Sequence, residues 1–317
     1  MSLGRLAIVI IGRNEGARFL ACLDALPKGV GQVIYVDSGS TDGSIEAARD
    51  YGAEVVDLDR DQPFTAARAR NAGVARIEGA ELVQFLDGDC TLRAGWIDTG
   101  LARLQDDEGL AVVCGRRRER FPGASVFNRL CDAEWDTPVG PALACGGDAM
   151  MRVEALRAVD GYNGDLIAGE EPELCVRLRA AGWRIERLDA EMTWHDAAMT
   201  RFGQWWKRSK RAGHAFAEGA ALHGAPPERH WLRETRRALL WGAVLPLVIL
   251  GALLVSPWLA LVLALAYPAQ VVRLALRDRD WARAFFNVLG KFAEAQGALG
   301  YYLSRLRGRK QGLVEYK

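Results

Sequence analysis

Gln32-Val-Ile-Tyr-Val-Asp-Ser-Gly-Ser-Thr-Asp-Gly-Ser-Ile-Glu-Ala-Ala-Arg-Asp-Tyr51 is the stretch on which the fold turns. An apolar, β-prone run from Gln32 to Val36 is broken by glycines and short polar side chains at Asp37–Gly43, and a helical pattern follows from Ser44 to Tyr51. The same order recurs on both sides. Strands are expected at Leu6–Ile11, Glu54–Leu58, Leu82–Leu86 and Leu110–Cys114, and helices at Glu15–Ala25, Thr65–Ala75 and Ala94–Leu104. This alternation predicts an α/β fold with a mainly parallel sheet and helices on both faces. Ligands of such sheets bind beyond the carboxyl ends of the strands, which selects the loops Gly12–Gly16, Asp37–Gly43 and Asp87–Thr91. After Gly115 the alternation weakens, and Pro122, Pro138, Pro141 and Gly146-Gly147 predict longer loops and irregular structure. A helix from Glu171 to Ala181, closed by Gly182, and a strand from Arg184 to Leu188 follow.

The chain of 317 residues is long enough for one large domain with an appendage. With 41 basic against 40 acidic side chains and half the residues apolar, it is neither a disordered chain nor one carrying the charge footprint of a nucleic-acid binder. Six cysteines without a C-x-x-C pair read as reduced, small apolar residues rather than a zinc ribbon or disulfide scaffold. The apolar run within Met1–Ile11 is too short for a signal peptide and reads as a buried strand.

Ala238 to Val272 is 35 residues without a charge, bracketed by Arg233, Arg236 and Arg237 before it and Arg273, Arg277 and Arg279 after it. As one helix it would extend roughly 52 Å, far beyond a hydrocarbon core of roughly 30 Å. Ser256-Pro257 divides it into Leu239–Val255 and Trp258–Val272, which predicts a short transmembrane or re-entrant hairpin with both ends cytoplasmic. A buried helical hairpin of a soluble protein is the alternative. Upstream, Phe202–Arg211 mixes aromatic and basic residues, which suits either a helix at a headgroup surface or a core-facing aromatic stripe. Arg208, Lys210, Arg211 and His214, with Trp205 beside them, are candidates to hold an acceptor phosphate, or form a solvated basic face near a membrane. The expected organisation is a catalytic domain over 1–220, a basic linker at 221–237, the hairpin at 238–272 and amphipathic basic helices at 273–317.

Three motifs carry chemistry. The Asp37–Ser44 loop has an acid and hydroxyls that can bond a base or sugar, or it is a plain helix cap at Thr41 or Asp42. Asp87-Gly-Asp89 places two carboxylates at a strand's carboxyl end, where hard oxygens hold a divalent cation, although a solvated turn has the same composition. Glu170-Glu171 opens a helix, where acids are favoured by the dipole alone, and mutual repulsion can raise one pKa toward that of a general base. A dinucleotide G-x-G-x-x-G after the first strand and a P-loop are both missing from the sequence.

Together, Ile8-Val-Ile-Ile-Gly-Arg-Asn-Glu15, Val36-Asp-Ser-Gly-Ser-Thr-Asp42, Ala69-Arg-Asn-Ala-Gly73, the D-x-D and the Glu-Glu pair in place of Glu-Asp resemble family 2 glycosyltransferases of GT-A fold, over Leu6 to about His195. The resemblance implies a Rossmann-like mixed sheet flanked by helices. It implies that Ile11, Arg13, Glu15 and Asp37 surround the donor nucleoside, although Arg13 stands where an aromatic is frequent. Arg68 or Arg70 would approach the nucleotide, Asp87 would contact ribose or metal, and Asp89 would ligate Mn²⁺ or Mg²⁺ under the diphosphate. Glu171 matches the base position, and Gly146, Gly147 and Asp148 frame donor sugar and acceptor. His195 either completes the metal shell, as in some relatives, or is a hydrogen-bonded structural histidine.

The expected reaction is a single displacement with inversion, in which Glu171 takes the acceptor's proton as the nucleotide leaves. A hydroxyl acceptor needs such a base, whereas a lipid phosphate is already ionised. The expected partners are therefore a nucleotide-sugar donor, a UDP-sugar in the first instance, an undecaprenyl-linked sugar acceptor and the cytoplasmic face of an inner membrane, with no nucleic acid. A polyprenyl-phosphate sugar synthase, a nucleotidyltransferase and a non-catalytic membrane adaptor are the alternatives.

Overall fold

The computed structural model describes residues 3–59 and 61–308, so the ends of the chain expected at 1–2 and 309–317 lie outside it. The chain divides into two compact units, one up to Ala198 and one from Met199 onward.

The first unit contains β1 (Leu6–Gly12), α1 (Ala17–Asp24), β2 (Gln32–Asp37), α2 (Ser44–Tyr51), β3 (Glu54–Asp57), α3 (Ala66–Val74), β4 (Leu82–Asp87), β5 (Cys90–Leu92), α4 (Trp96–Asp106), β6 (Leu110–Glu119), α5 (Val126–Trp135), β7 (Gly140–Pro141), β8 (Ala149–Arg152), α6 (Val153–Ala158), α7 (Glu170–Ala180) and β9 (Arg184–His195). The sheet order is β3-β2-β1-β4-β8-β6-β9-β5, with β7 also on β9. β1, β2, β3 and β4 pair in parallel, as their alternation with helices requires. Leu6 to Ile11, Phe85, Met150 and Val113 are buried because central strands covered on both faces need apolar side chains throughout. One polar exception, Gln84, is buried but accepts a bond from Trp96 Nε1 at 2.8 Å.

The sheet is mixed rather than mainly parallel. β8 enters between β4 and β6 antiparallel to both, so β4 and β6 still run in one direction. The region expected to be irregular after Gly115 also contains α5, capped by Ser125 Oγ on Asn128 N–H at 2.9 Å, and α6. β6 continues five residues past Cys114 through Arg116-Arg117-Arg118, and β9 continues past Leu188 to His195. A run of arginines reads as a loop in sequence. Here Asp132, Asp136, Asp87 and Asp148 lie across from them and supply the opposite charge.

The second unit is helical: α8 (Phe202–His223), α9 (Leu232–Leu239), a π-helical turn at Leu240–Val244, α10 (Leu245–Val255), α11 (Pro257–Ala264), α12 (Ala266–Asp278) and α13 (Trp281–Leu306). The stretches Leu232–Val255 and Pro257–Asp278 are each long and apolar enough to cross a membrane. The break falls at extended Ser256 before Pro257, where the ring excludes a helical predecessor. Part of the stretch expected as a basic linker is helix α9, and α8 belongs with the helices rather than the sheet. At the α8–α13 crossing, a Cβ on Gly213 would stand 1.9 Å from the Glu294 carbonyl oxygen, and one on Gly297 1.9 Å from that of Lys210. Trp205 is buried here against Phe202 and Phe286. It is an aromatic core residue of this unit, one of the two readings that its stretch of sequence allowed.

α3 positions a central arginine of the site, and its closeness to the sheet depends on Gly73. A Cβ there would lie 2.3 Å from Val9 Cγ1 and 3.3 Å from Val36 Cγ2, both stiff β-branched side chains in the core. Gly73→Ala is therefore expected to destabilise the protein by about 1–3 kcal/mol, read as a lowered thermal midpoint and compared with Gly79→Ala, a surface control where the only strain is the backbone's.

Candidate active site

The site stands at the carboxyl ends of β1, β2, β4, β6 and β9. Its first wall is two loops zipped together. Asn14, left-handed at φ 55°, accepts from Thr41 N–H at 2.7 Å and donates its own N–H to Ser40 Oγ at 2.9 Å. Asp42 accepts from Gly16 N–H at 2.8 Å and from Ser44 Oγ–H at 2.7 Å. Asp37 is fully buried: it accepts from Tyr35 O–H at 2.9 Å and from Gly39 and Ser40 N–H at 2.7 and 2.8 Å. The carboxylate expected beside a nucleoside thus also holds the β2–α2 loop. Ile11 is buried below this wall, Glu15 pairs with Arg18 at 2.6 Å, and Arg13 is exposed.

The centre is a charge network. Arg70, 3% exposed, donates Nη2 to Asp87 at 2.9 Å and Nη1 to Glu170 at 2.8 Å, spanning β4 and α7. Arg117 on β6 reaches Asp87 at 3.4 Å and Asp148 at 3.0 Å. Asp148, fully buried, also accepts from Asp87 N–H at 3.1 Å and Thr193 O–H at 2.8 Å. Strand register creates this meeting: Phe85↔Ala149 brings Asp148 to the end of β4, and Arg117↔Thr193 brings β6 to β9. Gly147 leaves room for it, because a Cβ would lie 2.7 Å from Arg70 Nη2 and 3.2 Å from Arg117 Nη2. Between the two arginines weighed from sequence, Arg70 is the central one. Arg68 instead donates to the carbonyls of Gln62 and Pro63 at 3.1 and 2.6 Å and holds its own loop.

The two acids of the Glu-Glu pair differ sharply. Glu170 is clamped by Arg70, whereas among the described residues Glu171 accepts one weaker bond, from Gly146 N–H at 3.2 Å. Burial, reinforced by the neighbouring Glu170 charge, pushes the Glu171 carboxyl up to about 7 against the pull of Arg70 and Arg117.

Asp87 and Asp89 point into different groups. Cys90↔His195 pairing between β5 and β9 sets Asp89 beside His195, with Oδ2 3.4 Å from Nε2, while Asp87 clusters with Asp148. The short β5 and the full length of β9 gave no sequence signal strong enough to reveal that pairing. Burial and then Arg117 lower His195 to about 4, so its imidazole is neutral and can ligate. Its Nδ1 has no hydrogen-bond partner among the described residues and lies 4.0 Å from buried Glu119. Burial holds the Cys90 thiol protonated, leaving a carboxylate and an imidazole as the donors. Such an oxygen–nitrogen pair fits Mn²⁺ or Mg²⁺ with further oxygens supplied by a ligand. Tyr35, Arg117 and Glu119 are site-building residues that sequence motifs did not single out, whereas Asn14 belongs to the quoted turn after β1. Arg208 and Arg211 lie on α8 in the helical unit, partly buried.

Residues 7–158 match the family described as glycosyl transferase family 2. An uncharacterized glycosyltransferase from Mycobacterium bovis is 32% identical over 187 residues, 57% of this chain and 82% of its own. The succinoglycan biosynthesis protein ExoA of Rhizobium meliloti is 26% identical over 274 residues, 80% of each chain. In fold, the chain is similar to the mannosyltransferase PcManGT from Pyrobaculum calidifontis, solved with GDP-Man and Mn²⁺, with a TM-score of 0.64 at 19% identity over 93% of this chain and 87% of that one. The GT-A architecture expected from the motifs is thereby borne out.

A carboxyl raised in the folded state favours folding while protonated and loses that advantage as pH rises. For Glu171 the loss runs from its ordinary 4.5 up through about 7. Glu171→Gln removes it, so the variant's thermal midpoint should gain on the native protein's across that window and change little relative to it above pH 8.

Proposed function

The chain belongs to glycosyl transferase family 2, and from that premise we propose that it moves a sugar, with inversion, from a nucleoside-diphosphate donor to a hydroxyl of a lipid-linked sugar acceptor. The observation that carries this reading is the divergence of Glu170 and Glu171. One is neutralised by Arg70, and the other, raised to about 7, is poised to gain and lose a proton near neutrality. An acceptor that is already anionic would not need that tuning; a hydroxyl does.

The zipped Asn14–Asp42 loops, with Ile11, Arg13, Glu15 and Asp37, are the proposed nucleoside wall. Asp89 and His195 are the proposed metal ligands, with Asp87 at the ribose or on the metal's far side. A divalent cation held there would neutralise the diphosphate as it leaves. Arg70 fixes Asp87 and Glu170, Gly147 and Asp148 border the sugar, and Glu171 accepts the acceptor's proton as its oxygen attacks the anomeric carbon. Mn²⁺ and GDP-Man in the fold relative and the polysaccharide role in ExoA's name support the donor and acceptor classes. The two apolar stretches and their arginine flanks support a hairpin in the inner membrane with both ends at the cytoplasmic face. Arg208 and Arg211 are proposed contacts to an acceptor phosphate.

Glu171→Gln should lower turnover of a nucleotide sugar onto a lipid-linked sugar by about 10²–10⁴-fold while donor-induced thermal stabilisation persists. Retained turnover, or equal transfer to bare polyprenyl phosphate, would overturn the assignment. In a thermal-shift screen of UDP- and GDP-sugars, Mn²⁺ should enhance stabilisation by the true donor, and Asp89→Asn or His195→Ala should abolish the enhancement.

A further inference from the structure

The helical unit contains a cavity of about 100 Å³ at one end of the apolar hairpin, lined by Arg237, Trp241, Gln270, Arg277, Asn287 and Lys291 over a floor of Leu274 and Val288. We propose that it binds the phosphate of an anionic membrane phospholipid, an inference that rests on the membrane reading of the hairpin given above.

Depth is the first argument. The two apolar stretches meet at Ser256, so Arg237, just before the uncharged run, and Arg277, just after it, stand at the same end. Tyr267 O–H donates to the Trp241 carbonyl at 2.7 Å, and the two rings meet edge to face at 5.8 Å. Aromatic residues with polar edges settle at the headgroup level, where lipid phosphates also lie. From Trp241 to Val255 the helix extends about 21 Å, so the tip, with Leu254 90% and Trp258 76% exposed, points into the hydrocarbon region.

Chemistry is the second. Asp278 takes Nε and Nη2 of Arg277 at 2.6 and 2.8 Å, leaving Nη1 outside that pair, and Glu294 holds Lys291 Nζ at 2.8 and 2.6 Å. Arg237 forms no hydrogen bond or ion pair of its side chain among the described residues. Its charge is therefore uncompensated, beside two oriented cations and the amides of Gln270 and Asn287, all donors suited to phosphate oxygens. The volume leaves room for a phosphate group. Exposed Leu240, Val244 and Leu276 on the same helices offer an apolar path for the acyl chains.

The test uses the full chain with vesicles of phosphatidylcholine alone or with added phosphatidic acid. Flotation with pure phosphatidylcholine reports the hairpin; its failure overturns the membrane reading and this proposal with it. Given flotation, thermal stabilisation in micelles should show an apparent affinity about tenfold higher for phosphatidic acid than for phosphatidylcholine. Arg237→Gln with Arg277→Gln should erase that preference, and so should Asn287→Asp, an exposed position where a carboxylate repels phosphate without touching the core. Arg233→Gln with Arg279→Gln, outside the cavity lining, should retain it. The proposal fails if the preference is missing, if it survives the cavity variants, if the outside pair erases it equally, or if inorganic phosphate stabilises the protein as well as phosphatidic acid does.

Discussion

Arg70 holds the catalytic unit's centre together. Asp87 and Glu170 lie 83 residues apart in sequence, and one guanidinium satisfies both from within the protein. Removing charges from water costs several kcal/mol each, and only close opposite charge with good hydrogen bonds offsets it. Arg117 repeats the arrangement with Asp87 and Asp148, so the sheet can bring buried carboxylates to its functional edge without scattering them by repulsion. Gly147 follows from the same constraint, since two guanidinium groups pass where its side chain would be.

This compensation is unequal. Glu170 receives a full cationic partner, whereas Glu171, its neighbour, has a backbone N–H and a mostly desolvated setting. Two adjacent residues of one type thereby meet different surroundings, and Glu171 acquires a raised proton affinity. His195 is moved in the opposite direction, toward the neutral imidazole, by burial and by Arg117. Arg117 thus serves both halves of the site, pairing with Asp148 and favouring the uncharged form of His195.

The helical unit is governed by contact rather than charge. Gly213 and Gly297 let α8 and α13 approach to backbone distance, and Gly242 meets the Lys291 carbonyl in the same manner. Meanwhile the hairpin leaves Leu247, Leu250, Leu254 and Val255 facing outward, which a water-exposed surface would not favour. Tight packing on one side with apolar exposure on the other is the pattern of helices that meet two different surroundings.

Sequence by itself determined the strands and helices through α4 apart from the short β5, the loops at strand ends, the break at Ser256-Pro257 and the identity of the Asp-Gly-Asp and Glu-Glu motifs. These are local properties, set by side-chain periodicity and by backbone limits of glycine and proline. Tertiary structure alone decided that β8 runs antiparallel between β4 and β6, that the arginines after Cys114 continue a strand, and that Trp205 is core. It also decided that Asp89 meets His195, which comes from register between strands distant in the chain, and that Asp87 meets Arg70, which comes from the packing of α3 on the sheet. A register depends on the summed fit of many side chains across the sheet, and no short window of sequence contains that sum.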